Sequence, residues 1–169
     1  RNFLSVGNVT QALKFDEHGL TLVLGNNLDL GGDGSRNGTG KTTIVNAISY
    51  VLYGNALTNI RKDNLINKTN NKNMLVTCEF ESDGHIYKIE RGRKPAVLRF
   101  IVDDHEEEGK DSEEQQGENK ETQEEIERLL GMGHDMFKHI VALNTYTEPF
   151  LSLKTNDQRE IIEQLLGIT

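Results

Sequence analysis

The sequence contains little cysteine, proline or aromatic residue, and no long hydrophobic run. Its single cysteine, Cys78, excludes a disulfide framework and a multi-cysteine metal site. No stretch approaches the roughly 18 consecutive apolar residues that span a bilayer, so the sequence predicts no membrane helix and no membrane partner. No secretory signal pattern opens the chain, which begins at Arg1 rather than Met. We therefore expect a trimmed N-terminus and a cytoplasmic protein (the host cytoplasm if the source is a phage) of one domain.

The net charge of −8 is the sum over two parts of the chain that have opposite net charges. Residues 103–127 hold 13 acidic and 2 basic side chains, whereas the other residues carry a small positive excess. A basic segment lies directly before the acidic run, within residues 84–101. The overall acidity therefore does not exclude nucleic-acid binding, because the basic and acidic segments have to be considered separately.

The pattern of residues 1–54 predicts strands, a glycine-rich loop and a helix, as in an α/β fold. Residues 1–6 and 9–15 are predicted as short strands, and the apolar run Leu20–Leu24 as a buried strand. A helix begins near Lys41, carries apolar residues at helical spacing and ends at Gly54, a residue suited to a C-terminal cap. The polar residues 55–73 are predicted as loop with a short helical turn.

The loop between that strand and that helix is the strongest functional signal. In a phosphate-binding loop, successive backbone N–H groups and a helix N-terminus surround a phosphate, a lysine reaches the β- and γ-phosphates, and a hydroxyl holds Mg²⁺. Lys41 and Thr42 stand where this motif places its lysine and hydroxyl. Ser35 occupies the position of the motif's first glycine, and Gly34 lies one residue earlier. Either Gly34 makes the turn in a shifted register, or Ser35 itself adopts the conformation of the turn. The sequence predicts a P-loop NTPase that binds ATP and Mg²⁺ through Ser35, Arg36, Asn37, Gly38, Thr39, Gly40, Lys41, Thr42 and Thr43.

The second half of the chain has a different organisation. Three strand-like runs within residues 74–102, with a turn at Asp83-Gly84, predict an antiparallel β meander. The acidic residues 103–120 are nearly free of apolar groups and are predicted as a mobile loop. Residues 121–169 are predicted as mostly helical, with a helix over about 121–130 and a last helix that starts with a capping box at Thr155 and Gln158.

The acidic group that an ATPase also needs is not evident. The one candidate is Asp103 and Asp104 at the end of an apolar run, but that run has the pattern of an antiparallel strand. Cys78 is predicted to be a core residue, and the five histidines are scattered along the chain.

Several segments resemble the SMC-like DNA-repair ATPases of the SbcC type, and in particular the large ATPase subunits of T-even phage recombination endonucleases. The resemblance runs along nearly the whole chain. The segments that carry it are Arg1–Ser5, Asn37–Thr42, Leu65–Asn67, Arg91–Pro95, Leu130–Met132 and Phe137-Lys138.

This resemblance implies an ABC-type ATPase head that a long antiparallel coiled coil divides into two lobes. Residues 1–169 would be the N-terminal lobe, with a mixed sheet and the meander, and its last helices would lead toward the coiled coil. The family's signature motif and second acidic motif belong to the C-terminal lobe. The resemblance adds Arg1 and Asn2 to the nucleotide site, and it places a metal-contacting position, usually Gln, at Asn144 or Thr145.

The partners implied by the resemblance are the C-terminal lobe of the same head, a second copy bound as an ATP-dependent homodimer, a metal-dependent nuclease subunit and double-stranded DNA ends. Five bases would contact DNA phosphates without reading sequence, since only two aromatic rings lie among them: Lys88, Arg91, Arg93, Lys94 and Arg99. Alternation along strands would divide these bases between two faces, and they could instead solubilise the meander or pair with the acidic run.

Two other functions remain open at this stage. One is a structural or loading module that uses nucleotide only for assembly and does not hydrolyse it. The other is a stand-alone P-loop NTPase whose site is completed by Asp103 and Asp104; the antiparallel meander is less suited to this alternative.

Overall fold

A computed structural model describes residues 1–15, 19–28, 38–106, 115–143 and 148–168. A four-stranded antiparallel sheet packs one face against two helices, and shorter helices follow. Helix and antiparallel sheet together are compatible with the predicted α/β class. The strands are β1 (Met74–Ser82), β2 (His85–Arg93), β3 (Val97–Val102) and β4 (His105–Glu106), and the helices are α1 (Lys41–Tyr53), α2 (Gln115–Leu130), α3 (His134–Met136) and α4 (Thr155–Leu165).

Helix α1 has the predicted boundaries. Gly54 adopts the left-handed conformation, with φ of 71°, and its N–H donates to the Tyr50 carbonyl. This arrangement satisfies a carbonyl at the helix end, and glycine tolerates it without steric cost. A 3₁₀ turn at Lys62–Leu65 then supplies the helical turn predicted within residues 55–73.

The sheet is a meander in which each strand pairs with the next. Ile89, at the centre of β2, lies opposite Cys78 on β1 and Phe100 on β3. The Asp83-Gly84 turn has positive φ at both residues, the geometry that suits a two-residue hairpin. The register directs the odd-numbered residues of β2 toward the helices and the even-numbered residues to the outer face.

The main core forms where α1 and α2 cover the sheet. Ile89 and Ile126 are fully buried there, together with Leu52, Phe100 and Phe137. Cys78 packs against this core, and burial raises the pKa of its thiol. The position of Cys78 agrees with its predicted core role.

The start of the chain does not form the predicted strands. Within residues 1–15, the backbone forms one isolated antiparallel β-bridge, between Phe3 and Ile66, and no continuous strand. Phe3 packs on Tyr50 in a second apolar cluster with Leu65 and Met74. The predicted strands over residues 1–6 and 9–15 were therefore wrong, because this segment is held by isolated contacts rather than by a continuous partner strand.

The predicted buried strand Leu20–Leu24 is also not formed. Leu20, Leu22 and Leu24 are exposed, and the segment joins no ladder within the described residues. An apolar run indicates that a segment tends to be buried, but a strand also needs a neighbour that pairs with its backbone.

The acidic segment contains more regular secondary structure than predicted. Asp103 and Asp104 form a turn with positive φ, β4 follows, and α2 begins at Gln115. Residues 107–114 lie outside the described residues. Regular structure therefore occupies both ends of the predicted loop 103–120, and Ile126 near the end of α2 packs that helix into the core.

The C-terminal helices agree with the sequence in position but not in capping. A π-helical turn at Phe137–Val141 continues α3. Helix α4 has Lys154 at its N-cap and no side-chain cap bond. Gln158 donates instead to the Phe150 carbonyl, so the predicted capping box is wrong. No helix in the described parts of the chain is long and apolar enough to cross a membrane.

His134, which is half-buried, connects α3 to α1. The Ser49 hydroxyl donates to the Asn55 carbonyl and lies 2.9 Å from His134 Nε2, so Nε2–H is the donor in this second bond. Burial lowers the pKa of His134, and Lys138 lowers it further.

This lowered pKa predicts a loss of stability in mild acid. The unfolded chain takes up a proton near its ordinary pKa of about 6.5, whereas the folded chain takes it up only at lower pH. The contribution of His134 to the free energy of unfolding is therefore complete above pH 6.5 and falls as the pH drops toward the folded pKa. Urea unfolding of the chain and of His134→Gln at several pH values should show a smaller acid loss in the variant. Parallel pH curves would contradict this role.

Candidate nucleotide site and basic surfaces

The loop that leads into α1 has the backbone geometry of an anion site. Gly38 and Gly40 have φ of 75° and 85°, values that favour glycine. Gly40 is the N-cap of α1, no side chain caps the helix, and its first turn contains no acidic residue. The first N–H groups of a helix lack partners within the helix and carry partial positive charge. These groups can therefore bind an anion.

A close contact fixes this loop against the preceding segment. A Cβ on Gly25 would lie 1.9 Å from the Thr39 hydroxyl oxygen, so no larger residue fits at this position. The requirement for glycine at the end of the Leu20–Leu24 run was not recognised from the sequence. The feature of the sequence that could have indicated this requirement is the abrupt change from apolar residues to Gly25.

Lys41 and Thr42 lie together at the start of α1, as predicted. The Lys41 ammonium donates to the Thr39 hydroxyl over 3.3 Å, and Thr42 is exposed. The described residues contain no cluster of three or more His, Cys, Asp or Glu side chains that could hold a metal ion. The exposed Thr42 hydroxyl is an oxygen ligand of the kind that Mg²⁺ takes, and the phosphate oxygens of a bound nucleotide would supply further ligands.

Neighbouring polar residues hold the first turn of α1 in place. The hydroxyls of Ser5 and Thr43 hydrogen-bond at 2.9 Å, and Asn46 bridges the Thr42 carbonyl and the Leu57 N–H. A cavity of about 430 Å³ lies beside Thr42, and hydroxyl and amide side chains line it together with apolar ones. The Ser5–Thr43 bond was not predicted, because nothing in the sequence indicates that these two residues meet.

The other predicted nucleotide and metal contacts differ in their outcome. Ser35, Arg36 and Asn37 lie outside the described residues, as do Asn144 and Thr145. Asn2 is buried, and its side chain bonds to Asn70, Asn8 and the Asn73 carbonyl. Arg1 pairs its backbone with Leu75. The Asn2 amide is therefore occupied by the loop network rather than presented at the phosphate loop.

The five predicted DNA-binding bases are divided between two faces of the sheet. Lys88 and Arg99 lie on the outer face, where both pair with Glu90 at 3.1 and 3.6 Å. Arg91 and Arg93 lie on the opposite face, and Lys94 is in the β2–β3 turn. The predicted division by strand alternation is thus present in the register.

Arg91 points into the protein. Its guanidinium donates to the Val51 carbonyl and to Gln123, which joins the end of α1 to α2. Burial lowers the pKa of Arg91 to about 10, so the group stays charged at neutral pH. Arg93 pairs with Asp63 at 2.7 Å near the surface. The geometry favours a structural role for Arg91 over the predicted DNA contact, because both bonds orient its side chain inward.

Asp103 has a structural role at the end of the meander. One carboxylate oxygen accepts the Ile86 N–H at 2.9 Å, and the other lies 2.6 Å from His85 Nδ1. The bond to Asp103 raises the pKa of the His85 imidazole. These contacts explain an aspartate at this turn without a metal.

Comparisons with known proteins agree with the sequence resemblance. The sequence model of the AAA domain family matches residues 1–169. Over 99% of its length the chain is 35% identical to exonuclease subunit 2 of Escherichia phage RB69 and 36% identical to exonuclease subunit 2 of Enterobacteria phage T4. It is 27% identical over 78% of its length to the C subunit of nuclease SbcCD from Deinococcus radiodurans. The matched region spans 27% of each phage protein and 15% of the Deinococcus protein.

Proposed function

Because this chain belongs to the AAA domain family and to its SbcC-like branch, we propose that it is the N-terminal, ATP-binding lobe of an ABC-type head in a DNA repair and recombination ATPase. The observation that carries the proposal is the loop geometry at α1. Two left-handed glycines lead into a helix N-terminus that lacks a side-chain cap, with Lys41 and Thr42 in its first turn. This is the arrangement that binds the phosphates of a nucleotide.

In the proposed complex the chain supplies binding and orientation. Lys41 would pair with the β- and γ-phosphates, and Thr42 would hold Mg²⁺. Ser35, Arg36 and Asn37 would complete the loop, and Asn144 or Thr145 would add a metal contact. The bound ion would supply charge neutralisation between the phosphates. Calorimetric titration with ATP and Mg²⁺ tests this proposal, and a single binding event per chain is expected.

Exposed apolar residues between Leu13 and Leu24 support the proposal that a second lobe packs against this chain. Leu20, Leu22 and Leu24 follow further exposed apolar side chains at Leu13 and Phe15. Exposed apolar surface on this scale is a common mark of an interface. The C-terminal lobe would cover it, and two such heads would close around ATP and open after hydrolysis.

The names of the relatives support a nuclease partner. The phage proteins are exonuclease subunits and the Deinococcus protein is a subunit of the SbcCD nuclease. We therefore propose that this protein works with a metal-dependent nuclease subunit on double-stranded DNA ends, and that ATP-dependent closure regulates that nuclease.

DNA contact is proposed for the bases nearest the β2–β3 turn. Arg93 and Lys94 lie at the surface there, and the nearby carboxylate of Asp63 is itself exposed. Lys88 and Arg99 both pair with Glu90, whose side chain is mostly buried, so these two cations are held to the sheet and we expect them to contribute less.

Replacing Arg93 and Lys94 together with Ala should weaken DNA binding and flatten its salt dependence. The slope of log K against log salt falls by about one unit for each DNA phosphate that the variant no longer neutralises. Fluorescence anisotropy with a duplex probe at several salt concentrations measures this slope. The matched control is Lys88→Ala with Arg99→Ala, which removes the same charge from the outer face. Equal slopes for wild type and the Arg93/Lys94 variant would exclude these two residues as DNA contacts.

A further inference from the structure

A second cavity, separate from the phosphate loop, lies between the end of α1, the strands β2 and β3, and the first described side chains of α2. Its volume is about 350 Å³, which is within the range of small-ligand pockets. No acidic residue lines it in the described part of the chain. We call it the basic cavity, because four cationic side chains and one tyrosine line it: Lys62, Arg91, Arg93, Lys120 and Tyr50.

Two of these cations converge on Gly54. A Cβ built on Gly54 would lie 2.8 Å from Nη1 of Arg91 and 3.8 Å from Nζ of Lys62. The bonds of Arg91 to Val51 and Gln123 use Nε and Nη2, which directs Nη1 toward Gly54. Gly54 thus keeps open a space in which an ammonium and a guanidinium group face the same point.

Lys62 lacks a compensating negative charge. In the described part of the chain its ammonium pairs with no carboxylate and donates no hydrogen bond. Burial lowers the pKa of Lys62, and the nearby charges of Arg91 and Arg93 lower it further. Asp63, which pairs with Arg93, does not line the cavity. Lys62 is an exposed residue that lies beside the charges of Arg91 and Arg93, and an anion bound among the three would relieve their repulsion.

Tyr50 provides an independent indication of a ligand. Its side chain is 3% exposed and lines the basic cavity, yet its hydroxyl bonds to no described residue. Buried polar groups are nearly always hydrogen-bonded, because leaving one unsatisfied costs free energy. The hydroxyl can donate to a group bound in the cavity.

We propose that the basic cavity binds a phosphoryl group. Of the four cations, Arg93 and Lys120 already pair with Asp63 and Glu124. The other two, Lys62 and Arg91, and the Tyr50 hydroxyl suit phosphate oxygens, and the planar guanidinium of Arg91 matches their geometry. The phosphoryl group can belong to a small phosphorylated molecule or to the backbone of DNA. This site is independent of ATP at α1, so it holds whether or not the proposed ATPase function does.

Inorganic phosphate is the first probe, and it is used with Lys41→Ala so that the phosphate loop does not contribute. Thermal unfolding of the full chain should show stabilisation by phosphate beyond that of sodium chloride at equal ionic strength. Adding Lys62→Met or Tyr50→Phe should weaken phosphate binding about tenfold or more, because each removes one contact to the anion. Lys72→Met, which removes an exposed lysine outside the cavity, should leave the response unchanged.

Tyr50→Phe keeps the ring packing on Phe3 and so separates binding from folding. Without phosphate, neither this variant nor Lys62→Met should unfold earlier than its Lys41→Ala parent. A phosphate response that is unchanged in both variants, or that equals the response to chloride, would overturn the proposal. A short DNA duplex that competes with phosphate, and loses this ability in Lys62→Met, would identify the DNA backbone as the source. Phosphate binding without such competition would identify a free phosphorylated ligand.

Discussion

Replacing Lys41 with Ala should lower the affinity for ATP in Mg²⁺ by at least about a hundredfold, because the lost ammonium makes charge-assisted contacts to two phosphates, each worth about 1.5–3 kcal/mol. Isothermal titration calorimetry measures this change directly. The fold should persist, since Lys41 lies at the first turn of α1 and its hydrogen bond to Thr39 is long. Lys72→Ala is the charge-matched control, because Lys72 is exposed and does not line the cavity beside Thr42.

The two threonines that follow Lys41 separate metal binding from helix anchoring. Thr42 is exposed, so Thr42→Ala should weaken ATP binding in Mg²⁺ but not in EDTA. Thr43 is buried against Ser5, so Thr43→Ala should lower stability and change ATP affinity equally with and without Mg²⁺. If Lys41→Ala binds ATP as tightly as the wild type does, the nucleotide site is not at α1.

Local patterns predicted the elements whose partners are close in sequence. The meander and α1 have nearly the predicted boundaries, because the Asp83-Gly84 turn and the Gly54 cap are determined by a few neighbouring residues. The strand predicted at Leu20–Leu24 failed because pairing requires a partner that no local pattern reveals. Helix α2 was predicted too short, since burial at its C-terminal half outweighs the polar composition of its first turns.

Site residues show the same dependence on partners. Lys41 and Thr42 were placed by a motif whose members are consecutive, and both are at the start of α1. Arg91 looked like a surface base because the sequence does not show that its partners, Val51 and Gln123, lie on two helices far along the chain. The basic cavity was missed for the same reason, because Tyr50, Lys62 and Arg91 are separated in sequence and meet only in the fold.

The chain alone should turn over ATP at no more than a background rate. Hydrolysis needs an acidic metal-binding group and a residue that orients water, in addition to the phosphate loop. The described residues contain no carboxylate cluster of this kind, and Asp103 already bonds to Ile86 and His85. The rate of phosphate release should therefore stay near the rate measured without protein. Any small increase should be directly proportional to the concentration of the chain.

Supplying the remainder of the head in trans should restore turnover, if the site is shared between two heads as we propose. The rate per head should then increase with protein concentration, because two heads must meet before either site is complete. Adding Lys41→Ala heads should reduce the activity of wild-type heads by forming mixed pairs. The opposite result would be rapid hydrolysis by residues 1–169 alone that is lost in Asp104→Asn. That result would mean that Asp103 and Asp104 complete the site, and the protein would then be a stand-alone NTPase rather than half of a composite one.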